Sequence, residues 1–212
     1  MIDVFTLRII AGVLLASSFL LIYVVNFRGE KVTESYETKK EVPVATSIEV
    51  VGGLVTIGIP IIAVILFVVL PGTIYETVLN FYFPGDTLVQ VVGVFLYVGG
   101  GALLIWSARH LGKFDVGKVA VAEDHVLVET GPYARVRHPG YTAQFLIALA
   151  VAFILLNAVL FVNLVLAAGF YVQRARLEEK LLSSEDGFGN QYLTYMSRTG
   201  RFFPRLRANP SV

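Results

Sequence analysis

Long apolar runs alternate with compact polar blocks along this chain. A helix needs about 20 apolar residues to cross about 30 Å of hydrocarbon, and Ile9–Phe27, Val50–Leu70 and Leu88–Ala108 each offer such a run. Pro60 falls inside the second and predicts a kink, because proline brings no N–H to the helix ladder. A neighbouring group must then satisfy the freed carbonyl. Gly99, Gly100 and Gly101 in the third run predict close approach of another helix backbone. The apolar stretch Tyr141–Tyr171 is 31 residues long, too long for one upright span and short for two. Split in half at about 1.5 Å per residue, it gives two helices of about 22 Å. Asn157 near its middle suits a turn. A tight helical hairpin is therefore expected there, for about five membrane helices in an all-α, multi-pass protein.

Charge sets the expected path. No Lys or Arg occurs from Val50 to Ala108, whereas the Arg28–Glu41 connection carries Arg28, Lys31, Lys39 and Lys40. Arg109–His138 holds five basic residues and the tail after Tyr171 holds seven. Basic residues gather on the cytoplasmic side, so both of these stretches are expected inside, with the hairpin going out and returning. The N-terminus then lies outside. Arg8 before the first apolar run could mark a signal peptide, but no small-residue cleavage site follows, so a retained helix is expected. The mixed charges of Arg28–Pro43 predict a solvated linker or a short interfacial helix. Tyr75, Phe81, Tyr82 and Phe83 between the second and third helices predict an aromatic belt at the outer interface.

Composition agrees. Of the 212 residues, 56% are hydrophobic, and the mean hydropathy is +0.71; a soluble core of this size could not bury that surplus. A net charge of +1 with no basic, aromatic-interleaved stripe gives no reason to expect a nucleic-acid partner. With no cysteine in the chain, disulfides, thiolate metal sites and cysteine nucleophiles are excluded, and no metal is expected. The length suits one membrane-embedded domain over 1–212, with three helices in 1–108 and the chemistry in 109–212.

Two polar blocks flank the hairpin. The first runs from His125-Val126-Leu127-Val128 through Gly131-Pro132-Tyr133 to Arg137-His138-Pro139-Gly140-Tyr141. The second contains Arg174, Glu178-Glu179, Phe188-Gly189, Tyr192, Tyr195 and Arg198-Thr199-Gly200-Arg201-Phe202-Phe203-Pro204. Each signal alone has a plain structural reading. Gly131-Pro132 marks a turn, Arg137-His138-Pro139 a helix start, and Arg174 with Glu178 an i,i+4 pair; the tail aromatics read as interfacial anchors. A short hairpin would bring the end of the first block beside the start of the second.

In order and spacing over roughly Leu111–Leu206, these motifs resemble the isoprenylcysteine carboxyl methyltransferase family, and the related phospholipid N-methyltransferases share much of the pattern. The resemblance implies a membrane-embedded enzyme that carries a methyl group from S-adenosylmethionine to a lipid-borne acceptor reached from the bilayer. It implies that His125, Val126, Leu127 and Val128 form a strand-like stretch beside the cofactor, and that Tyr133, His138, Pro139, Gly140 and Tyr141 contact it further. Arg174 then matches an arginine assigned to the methyl acceptor, and Glu178 a cofactor-binding glutamate. Lys118 falls near a cofactor-contacting position of some relatives. The chain departs from the family at Ala143, where relatives often carry glycine, and in a longer Ser183–Gly187 connection; both bear on the acceptor.

The residue types suit that chemistry. Aromatic faces such as Tyr133 and Tyr141 can stabilise a sulfonium cation. Glu178 suits an amino group, and Arg174 can hold a carboxylate in bidentate fashion. A carboxylate nucleophile is already ionised, so its methylation is mostly a matter of alignment. An amine acceptor would need to lose a proton, and the chain has three histidines to serve as bases. The alternatives are a phospholipid or small-thiol methyltransferase, an NADPH-dependent sterol-type membrane reductase, and a non-catalytic protein of the same fold. Such reductases usually end in a different C-terminal motif.

Overall fold

A computed structural model describes residues 1–33, 38–41, 46–112, 120–122 and 126–205. His125 and Lys118 lie outside the described residues. The fold is all-α, as expected, apart from one two-stranded ribbon among the described residues. Its elements are α1 (Val4–Thr33), β1 (Thr38–Glu41), α2 (Thr46–Gly53), a π-helical turn (Leu54–Gly58), α3 (Ile59–Val69), α4 (Asp86–Leu111), β2 (Ala120–Ala122), α5 (Pro139–Leu155), α6 (Ala158–Leu182) and α7 (Asn190–Arg198).

Among the described residues, three helices are long and apolar enough to cross a membrane: Glu49–Val69, Asp86–Leu111 and Ala158–Leu182. Val4–Leu20 and Pro139–Leu155 are shorter apolar helices. The first helix runs past Phe27 to Thr33, and part of the expected Arg28–Pro43 linker is strand: β1 pairs antiparallel with β2, with Lys40 opposite Val121.

By packing, the described structure forms two compact units. One takes Met1–Tyr23, Ala45–Ala102 and Ala143–Phe170; the other takes Val24–Val44, Leu103–Thr142 and Tyr171–Val212.

The first unit is built around Leu7, Phe67, Tyr75, Ile154 and Leu155. Its α1 starts where the Asp3 carboxylate accepts the Thr6 N–H at 2.9 Å, an N-cap. Pro60 makes no sharp break. A π-turn precedes it, in which the Ile59 N–H reaches the Leu54 carbonyl. In that register residue 60 would bond the Val55 carbonyl, and proline cannot. Asn163 of α6 supplies the missing donor, its Nδ2 reaching the Val55 oxygen at 3.0 Å. Thr56 is buried and returns its hydroxyl to the Gly52 carbonyl at 2.7 Å.

Only the middle member of the glycine triplet acts as the sequence suggests. A Cβ on Gly100 would lie 2.9 Å from Ile147 Cγ1 and 3.1 Å from the Ala143 carbonyl, whereas Gly99 and Gly101 face open space. Gly93, one heptad earlier, meets α5 in the same way, with Ile154 Cγ1 at 2.8 Å and the Ala150 carbonyl at 3.0 Å. α4 and α5 thus approach along two glycines seven residues apart, a spacing that returns to the same helix face.

The hairpin turns where expected, with Leu156 in the left-handed region (φ 47) and Asn157 beside it. The connection after α3 clamps it. Phe81 N–H donates to the Leu156 carbonyl at 2.9 Å, Ala158 N–H to Leu79 at 2.8 Å, and Asn80 Nδ2 to Leu155 at 2.9 Å. Of the expected aromatic belt, Phe81, Tyr82 and Phe83 are exposed, but Tyr75 is buried. Its hydroxyl donates to the Ile2 carbonyl and accepts from the fully buried Gln90. A phenol with two partners belongs to the core rather than to an interface.

Candidate active site

The second unit holds the residues expected to carry the chemistry, on the first turn of α5, the last turns of α6 and the tail. Pro139 opens α5 and Gly140 follows it, so Tyr141 projects from the first turn. Arg174 and Glu178 lie one turn apart on α6, with Nε and Oε1 3.5 Å apart. The Tyr141 hydroxyl bridges them: it accepts from Arg174 Nε at 2.9 Å and donates to Glu178 Oε1. On its far side Glu178 faces His138, with Oε2 3.3 Å from Nδ1. Four of the residues singled out in the sequence, His138, Tyr141, Arg174 and Glu178, therefore form one continuous cluster.

Tyr141 does this through its hydroxyl rather than its faces. His138 stacks on one face with ring centroids 5.5 Å apart and planes 10° apart, and Tyr171 stacks on it at 5.5 Å and 23°. Part of the Tyr141 π surface is thus already in contact with aromatic neighbours.

The remaining expected residues are placed differently. Val126, Leu127 and Val128 belong to neither a helix nor a strand, and Val126 is exposed. Tyr133 lies in a 3₁₀ turn (Gly131–Ala134), and its carbonyl accepts the Tyr195 hydroxyl at 2.6 Å. Gly131 starts that turn at φ +58, and a Cβ there would sit 2.3 Å from the His110 ring, so both conformation and space require glycine.

The sequence assigns no role to Glu179, yet it is the most enclosed charge here, 4% exposed. One residue along a helix turns the side chain by about 100°, so Glu178 and Glu179 point to different partners. Arg137 Nε meets Glu179 Oε1 at 2.8 Å, and Arg201 Nε lies 3.1 and 3.0 Å from its two oxygens. His138 Nε2 is 3.3 Å away, buried and not aligned for a hydrogen bond. The signal lay in plain view in two basic residues, one per polar block, but sequence order does not say which acid they share.

Backbone bonds complete the arrangement. Arg137 N–H donates to Gly200 at 2.8 Å, His138 N–H to Arg201 at 3.0 Å, and Gly200 N–H to Arg135 at 3.1 Å. The Thr142 hydroxyl reaches the Phe202 carbonyl at 2.9 Å. Tyr192 and Tyr195, expected as interfacial anchors, are both buried on the inner face of α7. Burial pushes both phenols well above their ordinary range, so they stay neutral. Burial opposes protonation of His138, but the neighbouring Glu178 and Glu179 carboxylates outweigh it and raise its pKa. The flanking acids thus favour the protonated ring.

The donor set fits a zwitterionic, cationic ligand. Glu178 is one-fifth exposed and can take an amino group, and Arg174, similarly exposed, can take an anion. Among the described residues no group of acids and histidines is placed to hold a metal.

Comparison with known proteins points the same way. Residues 91–184 match the family model described as the isoprenylcysteine carboxyl methyltransferase family. A protein-S-isoprenylcysteine O-methyltransferase of Tribolium castaneum is 37% identical over 84 residues, covering 39% of this chain and 29% of that protein. One of Saccharomyces cerevisiae is 35% identical over 121 residues, covering 55% of this chain and 49% of that protein. The chain thus spans no more than about half the length of these relatives. These matches bear out the family resemblance drawn from the motifs. The family match ends at Ser184, before the tail motif at Arg198–Pro204.

Proposed function

We propose that this chain, whose residues 91–184 carry the isoprenylcysteine carboxyl methyltransferase pattern, is a multi-pass membrane methyltransferase that uses S-adenosylmethionine. Its acceptor is the carboxylate of a lipophilic, isoprenylcysteine-like molecule that enters from the bilayer. It crosses the membrane five times, with the site on the cytoplasmic side and the whole chain acting as one domain. The observation that carries this reading is the chain of contacts Arg174–Tyr141–Glu178–His138, built from the motif residues of the matching segment.

When bound, S-adenosylmethionine supplies an electrophilic methyl group on a sulfonium centre. Glu178 accepts the cofactor's amino group, and His138 and the Tyr141 hydroxyl orient that carboxylate. Val126–Val128 and Tyr133 offer backbone and apolar contacts beside it. Arg174 fixes the acceptor's carboxylate. An ionised carboxylate needs no general base, so positioning does most of the work. A histidine locked between two acids accords with that. Because Tyr141 ties Arg174 to Glu178, acceptor and cofactor are placed by one shared hydroxyl.

Calorimetry on detergent-purified protein tests the reading. Binding of S-adenosylhomocysteine without binding of NADPH is expected. NADPH binding alone would replace the transferase with a reductase.

A further inference from the structure

We infer that Glu179 is a positioning residue: with Arg137 and Arg201 it clamps the tail strap at Thr199–Phe202 onto the His138 corner, and so sets the ring that orients Glu178. This rests on the transferase reading and adds to it a working part, the tail, that lies beyond the family match.

The geometry makes Glu179 the junction of three elements. It belongs to α6, Arg137 precedes α5, and Arg201 belongs to the tail. Arg137 also donates to the Met196 and Thr199 carbonyls, at 3.3 and 2.5 Å, so one guanidinium binds the acid and the end of α7 together. The strap passes in register beside 135–138 through a parallel bridge between Val136 and Gly200. A Cβ on Gly200 would fall 1.6 Å from the Phe203 carbonyl, so the strap turns back on itself at that point and nowhere bulkier could.

Three faces then fix the His138 ring. Tyr141 of α5 stacks on it, Phe202 of the strap tilts against it at 6.1 Å, and the two acids of α6 each lie 3.3 Å from one of its nitrogens. The charged and titratable groups around it are Glu178, Glu179, Tyr141, Arg137 and Arg201. Two arginines and one histidine converge on Glu179, so this acid is compensated without Glu178. That leaves Glu178 to share its charge between His138, Tyr141, Arg174 and a ligand. A buried acid stripped of such partners is strongly destabilising, which is why the strap cannot leave without disturbing the ring.

Two readouts that need no cofactor test the clamp, and a third connects it to the proposed reaction. The chain has three histidines, so the His138 titration can be assigned by NMR with the aid of His138→Gln. Replacing Glu179 by Gln is expected to move the His138 midpoint to lower pH, because an anion beside Nε2 is lost. The native chain lacks cysteine, and Thr199 is 1% exposed. A Thr199→Cys reporter should label slowly, and at least about tenfold faster once Arg201→Gln is added, as a strap that opens locally would. Arg201→Lys should keep most of the protection. Arg201→Gln should also weaken S-adenosylhomocysteine binding by about tenfold or more. An unmoved His138 midpoint, or equal labelling with and without Arg201, overturns the clamp. Arg201 sits on the half-exposed strap, so this variant reads the clamp even if Glu179→Gln fails to fold. Wild-type protein that shows both effects but binds no S-adenosylhomocysteine overturns the transferase reading and leaves the clamp standing.

Discussion

At the scale of single residues, the proposed reading gives Glu178 and Arg174 separate tasks although one hydroxyl joins them. Glu178→Ala should abolish S-adenosylhomocysteine binding. Arg174→Ala should retain it and lower transfer to the acceptor by about 100-fold, the scale of a misplaced reactant. Equal cofactor affinity in wild type and Glu178→Ala would remove Glu178 from the site. His138 gives a pH signature. Its folded pKa lies above the ordinary 6.5, so the stability it adds is complete below that value and is lost as pH rises through the folded pKa. Melting temperatures in detergent should therefore fall from pH 6 toward alkaline pH (about one step per unit suffices to follow it), and the fall should be shallower in His138→Gln. The sequence showed all four residues of the cluster because they lie in short motifs. It did not show Glu179 as the deeper acid, since two adjacent glutamates look alike until a helix rotates them apart.

At the scale of elements, the fold rests on local repairs. Pro60 removes a donor and Asn163 replaces it, 103 positions away in the chain, through the Val55 carbonyl. Asn163→Ala should cost about 0.6 kcal/mol, the average for such bonds between membrane helices, and no more than about 1.7 kcal/mol. In a Pro60→Ala background, where the backbone N–H returns, the same change should cost less. A double-mutant cycle that gives additive losses would deny the coupling. Along α4, Gly93→Ala should destabilise by about 1–3 kcal/mol through overpacking against α5, while Gly99→Ala, facing open space, should not. The helices themselves were legible because a lipid-crossing run must be long and apolar. Which glycine packs was not, because three in a row sample every side of the helix. The β1–β2 ribbon was not legible either. Its strands are 4 and 3 residues long, lie in polar connections and pair across some 80 residues, too short for a period-2 pattern to register.

At the scale of the whole molecule, the proposed function depends on the hairpin of α5 and α6. It must return the chain to the side it left, or the two polar blocks cannot meet. Single cysteines at Thr130 and Lys180, introduced into the cysteine-free chain, should react with a membrane-impermeant reagent from the same face of sealed vesicles. The central claim is more specific: the site where the blocks meet passes a methyl group to a carboxylate. The most direct measurement supplies S-adenosylmethionine, tritiated in its methyl group, and a prenylated cysteine with a free carboxyl group to the purified protein. The product is then treated with mild alkali. A methyl ester releases its label as volatile methanol, and the account predicts that outcome, absent in Arg174→Ala. Label that stays in the lipid after alkali, as on nitrogen or sulfur, or no transfer at all by protein that binds S-adenosylhomocysteine, would contradict it.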